Sequence, residues 1–132
     1  MRLAVHHDSE VSVRAGQILL AERGLERLGL VDRAPRLTGD ARVERADDFD
    51  DYSVVISDTE DPSFLIGRAL AGGASLCLWR DIDGEDYHAD FQDAGLTLLT
   101  GANLATGIAP ALAAHETALA GTVMDVTIGW TE

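Results

Sequence analysis

Apolar positions along this chain alternate between short continuous runs and stretches of helical spacing, with glycine, proline and acidic clusters between them. Leu3-Ala4-Val5-His6 is a continuous run and predicts a short buried strand. From about Ser12 to Leu28, the residues Val13, Ile18, Leu19, Leu25 and Leu28 recur at roughly helical spacing, and Gly24 and Gly29 punctuate the end of the helix this predicts. Leu28 to Asp32 then reads as a second strand that ends in a carboxylate, completing a βαβ unit of about thirty residues. Ala41 to Arg45 predicts an edge strand, and Ala46 to Asp51 a solvated acidic connection.

The clearest strand is Tyr52 to Ser57, an unbroken apolar run of the kind a parallel strand covered on both faces requires. Pro62 suits the first turn of a following helix carrying Phe64, Leu65, Ile66 and Leu70, and Gly72-Gly73 ends it. Ala74 to Trp79 returns as a strand, Arg80 to Asp93 is a polar, acidic stretch, and Leu96 to Thr100 is a further strand. Ile108 to Leu119 predicts a last helix, and Val123 to Trp130 alternates like a half-exposed strand. This order predicts an α/β fold: a Rossmann-like, doubly wound, mainly parallel sheet with helices on both faces. Residues 1–120 form the expected nucleotide-binding domain, and 121–132 either start a second domain or add an edge strand. Exposed apolar surface on Val123 to Trp130 would bind that second domain or mediate a homo-oligomer.

Composition narrows the partners. The formal net charge is −13, and all ten basic residues are arginine. Such a surface repels polyphosphate backbones and anionic membranes, so neither nucleic acid nor membrane is an expected partner. The N-terminus enters a strand at once without a signal-peptide pattern, and no stretch reaches transmembrane length, which points to the cytoplasm. Cys77 is the sole cysteine and reads as a small core hydrophobe inside a buried strand.

In a doubly wound sheet the chemistry lies just beyond the carboxyl ends of the strands. After the first strand, His7-Asp8-Ser9-Glu10-Val11-Ser12 stands where a dinucleotide fold carries G-x-G-x-x-G, with Ser9 and Ser12 on the second and third glycine positions. Serine is small enough for close backbone approach, and Ser9 or Ser12 would cap a helix whose amides hold a pyrophosphate. His7 in place of the turn glycine, and the charges of Asp8 and Glu10, work against that use. Asp32, twenty positions after Ser12, matches the carboxylate that binds a ribose 2′-hydroxyl and favours NAD slightly over NADP; Arg33 would face a 2′-phosphate, stack on adenine or stay a solvated charge, so the preference stays open. Ser57, Asp58 and Thr59 follow the clearest strand, where they would contact ribose or pyrophosphate or form a capping turn. Asn103 follows Thr100-Gly101-Ala102 and would orient a nicotinamide or a substrate carbonyl, or serve the turn. Metal ligation is not expected, because His6 and His7 point to opposite faces and no further cluster follows. A phosphoacceptor receiver site is disfavoured by the lack of lysine.

Three segments, Leu30 to Arg33, Val54 to Pro62 and Leu99 to Ala105, together resemble the N-terminal NAD(P)-binding domain of two-domain dehydrogenases and reductases, such as dihydrodipicolinate reductase, homoserine dehydrogenase and the glucose-fructose oxidoreductase group. The resemblance implies a dinucleotide ligand, hydride transfer, and a second, mostly β domain that supplies the contacts to a small-molecule substrate. A lone cofactor domain would not turn over substrate. The alternative is a Rossmann-like domain without cofactor, acting in assembly or regulation and motivated by His7, Asp8 and Glu10 in the phosphate loop.

Overall fold

The computed structural model describes residues 1–6, 10–31, 37, 39–82 and 85–102. Strands β1 (Arg2–His6), β2 (Arg27–Val31), β3 (Val43–Ala46), β4 (Val54–Ser57), β5 (Ser75–Leu78) and β6 (Leu98–Leu99) form one sheet. Helices α1 (Glu10–Leu20), α2 (Ser63–Gly72) and α3 (Glu85–Asp93) follow β1, β4 and β5. The strand order is β3-β2-β1-β4-β5-β6 and every pairing is parallel, which is the doubly wound α/β architecture expected.

Both faces of the sheet are apolar because both carry helices. On one face Leu3, Val5, Leu28 and Leu30 pack with Val13, Leu19 and Leu20 of α1. On the other, Ala4, Val31, Val55, Leu76 and Leu78 pack with Leu65, Ile66 and Ala69 of α2 and with Phe91 of α3. Tyr52 and Phe49, from the β3–β4 connection, complete this second cluster.

Two elements differ from the sequence reading. The helix over Ser12 to Leu28 is shorter and earlier: α1 stops at Leu20, and Leu28 and Gly29 belong to β2. Its end is held from outside, since Arg42 Nη2 donates to the Leu20 carbonyl at 2.7 Å and so sets a cation at the helix C-terminus. Asp40 fixes that guanidinium through a 2.7 Å ion pair, and the Arg42 hydrogen bonds bring the Asp40 carboxyl down to about 2. The polar stretch after Arg80 also contains a helix, α3, which buries one ring, Phe91, beside the half-buried Tyr87. By contrast α2 ends as expected, with Gly73 left-handed at φ 67 and Ala74 N–H donating to the Ala69 carbonyl at 2.9 Å.

Tyr52 makes the fold sensitive to alkali. Its ring is buried, and its hydroxyl donates to Glu44 Oε1 at 3.0 Å. Burial first, and then the Glu44 carboxylate, push the phenol up to about 12 from 10.0. The folded state thus favours the neutral phenol, a contribution complete below pH 10 and lost as the pH rises towards 12. Urea melts at pH 9 and pH 11.5 are expected to show a larger loss of stability in the wild type than in Tyr52→Phe.

Candidate functional site

The sheet changes direction between β1 and β4, so the loops leaving their carboxyl ends diverge and open a crevice. His6 and Ser57, the last residues of these strands, are register partners. They are tied side chain to side chain, His6 Nδ1 lying 3.0 Å from Ser57 Oγ in a buried contact. The same Oγ accepts the Thr59 N–H at 3.2 Å, which turns the chain away from the sheet. The His6 ring meets Phe64 edge-on, with centroids 5.6 Å apart. Ser57→Ala removes one partner from His6 and one from the Thr59 amide, and is expected to cost about 1–2 kcal/mol in chemical denaturation.

α1 begins at Glu10, so Ser12 lies inside the first turn and is not its cap. Its hydroxyl is buried within 3.1 Å of Asp58 Oδ1 and 3.3 Å of the His6 carbonyl oxygen. The amides of a helix's first turn have no acceptor within the helix, and in α1 the first-turn residues Glu10, Val11 and Ser12 line the crevice. Beyond β5, Arg80 reaches back, donating to the Asp58 carbonyl at 3.4 Å and to Glu60 Oε1 at 3.2 Å. The Ser57–Pro62 segment is also a capping turn: the Asp61 carboxylate accepts both the amide and the hydroxyl of Ser63 in the first turn of α2, which lowers its pKa.

A cavity of about 570 Å³ opens from this crevice. Glu10, Ser12, Arg14 and Asp58 are among its polar lining residues, and Ile18, Ile56 and Cys77 among its apolar ones. Burial pushes the Cys77 thiol up, which leaves it a poor nucleophile. Among the described residues no group of three or more histidines, cysteines and carboxylates could hold a metal ion, and no helix is long and apolar enough to cross a membrane.

Four of the predicted site residues, Val11, Ser12, Ser57 and Asp58, line one cavity, and Thr59 adjoins them through its bond to Ser57. His7, Asp8, Ser9, Asp32, Arg33 and Asn103 lie outside the described residues. No family model and no curated protein matches the sequence. Function has to be sought in the crevice itself. There Arg14, Trp79 and Ala102 join the predicted set. For Trp79 the signal was available, as it follows β5 directly, and Ala102 lies three residues past the end of β6. Arg14 had none beyond lying one turn after the loop at the head of α1.

Proposed function

We propose that this domain binds NAD or NADP in the crevice between β1 and β4, as the nucleotide-binding module of an oxidoreductase. The supporting observation is the coincidence, at one point, of the reversal in strand order, the first turn of α1 and a cavity of about 570 Å³. In open parallel sheets that is where dinucleotides bind, with the pyrophosphate on the helix N-terminus. The residues suit such a group. First-turn amides of α1, with Arg14 beside them, would hold the pyrophosphate; the small side chain of Ser12 permits close approach; Ile56 and Trp79 offer apolar walls to a planar ring. Asp32 or Arg33 would choose between a ribose hydroxyl and a 2′-phosphate. The nicotinamide, when bound, supplies hydride chemistry, while this chain binds and orients it. A small-molecule substrate would be held by a second domain.

A specific observation favours a second reading, a cofactor-free module serving assembly or regulation. The Asp58 carboxylate sits at Ser12, where a phosphate would approach, in a chain already carrying a net charge of −13. One experiment separates the two readings. Amide NMR spectra of the chain with added NADH are expected to shift at Val11, Ser12 and residues 57–59, and Asp58→Asn is expected to tighten binding about tenfold by removing one like-charge contact. An unchanged spectrum in both proteins would favour the cofactor-free module.

A further inference from the structure

Arg42 and Arg68 serve the fold, the first closing the end of α1 and the second covering the Phe49 ring. Arg80 is placed differently. It stands two residues beyond β5, at the end of the sheet where doubly wound folds bind ligands, and its side chain reaches across to the segment that leaves β4. The main chain that carries it is held on both sides. Trp79 N–H donates to the Ser57 carbonyl at 2.8 Å, Gly101 N–H to the Arg80 carbonyl at 3.0 Å and Ala102 N–H to the Leu78 carbonyl at 3.0 Å. From this fixed base the guanidinium meets the rim of the cavity, where Nε donates to the Asp58 carbonyl at 3.4 Å. Two nearby carboxylates have other partners. Asp58 Oδ1 accepts the Ser12 hydroxyl at 3.1 Å, and Asp81 Oδ1 accepts the Thr100 hydroxyl at 3.3 Å and the Ile82 N–H at 3.0 Å.

We propose that Arg80 is an anion-binding residue at the mouth of the crevice, and that Glu60 occupies it until a carboxylate or phosphate group of a ligand takes over. Glu60 is its one acidic side-chain partner among the described residues, met at 3.2 Å through Nη2 alone. The pair is exposed on both sides, 56% for Arg80 and 85% for Glu60, and the Glu60 side chain makes no other hydrogen bond or ion pair among the described residues. Screening and the ordering of two long side chains leave such pairs weak, so the partner is readily exchanged. A guanidinium presents a planar fork that matches two oxygens of a carboxylate or phosphate at once, a fit that the single contact with Glu60 does not use. Release of Glu60 needs side-chain rotation only. On either side of it the backbone stays anchored, by Thr59 N–H on Ser57 Oγ and by Ser63 N–H on the Asp61 carboxylate. In a chain of net charge −13, a cation at this point also offsets the repulsion that an anionic ligand meets. The assignment holds whether or not that ligand is a dinucleotide.

The test is a pair of amide NMR titrations of the full chain, one with inorganic phosphate and one with malonate, at an ionic strength held constant with chloride. At least one of the two anions is expected to shift residues 58–60 and 80, and the tighter of them identifies the group that Arg80 takes. Glu60→Gln is expected to tighten that binding about fivefold by removing the competitor. Arg80→Gln is expected to weaken it about tenfold or more. In an Arg80→Gln background Glu60→Gln should no longer tighten it, which separates exchange at Arg80 from the general gain on losing one negative charge. Binding unaffected by Arg80→Gln would overturn the proposal, as would tightening by Glu60→Gln that survives in that background, or no shifts with either anion in Glu60→Gln itself. Neither probe carries a nucleotide, so a failure of dinucleotide binding leaves this result standing, and the converse holds as well.

Discussion

Phe49→Ala is expected to cost about 4 kcal/mol of folding stability, read as a fall in the urea midpoint with little change in slope. Phe49 is fully buried although it belongs to the connection between β3 and β4 and to no strand or helix. Its ring packs in the cluster shared with α2, and the Arg68 guanidinium lies 4.6 Å from its centroid on the outer side. Truncation therefore loses the transfer energy of an aromatic ring, leaves a cavity between connection and sheet, and removes the cation–π contact. Phe64, which is 49% exposed, is the control, and Phe64→Ala is expected to cost less than about 1 kcal/mol. Equal effects at the two positions would mean that the connection is not part of the core.

The second large effect is expected at Gly29. It sits mid-strand in β2, where glycine is normally a poor choice, because the Tyr52 ring lies directly over it; a β-carbon there would come within 2.6 Å of Tyr52 Cε1. The ring cannot swing aside cheaply, being buried and hydrogen-bonded to Glu44 on the neighbouring strand. Gly29→Ala is expected to cost about 2–3 kcal/mol through overpacking. In a Tyr52→Leu background the same change should cost less than about 1 kcal/mol, and this coupling in a double-mutant cycle distinguishes the ring contact from a general intolerance of β2. Additive effects would contradict the account.

Gly29 also shows where the sequence was misleading. It reads as punctuation after a helix because Leu25 and Leu28 prolong the helical spacing, yet Leu25 packs from a turn and Leu28 from a strand, both onto the face that α1 covers. Periodicity records which face is buried, and here two kinds of element bury the same face. α3 was hidden for the opposite reason: its apolar signal is reduced to Tyr87 and Phe91, one turn apart among charged residues. Strands β1, β4 and β5 were legible because a parallel strand covered on both faces must be a continuous apolar run. At the site, Ser12, Ser57 and Asp58 were legible because a doubly wound sheet presents its loops at one end. The bonds that join them were not, since Ser12 to Asp58 and Arg80 to Glu60 connect residues far apart in the chain.

We propose that the crevice at the head of α1 holds a dinucleotide. The most direct test is calorimetric titration of the folded chain with NADH and with NADPH at low and at molar salt. Saturable binding of at least one of them, tightened by Asp58→Asn, is the expected result. Absence of heat with either nucleotide, in wild type and in Asp58→Asn alike, would contradict it and leave the cofactor-free module as the function of this domain.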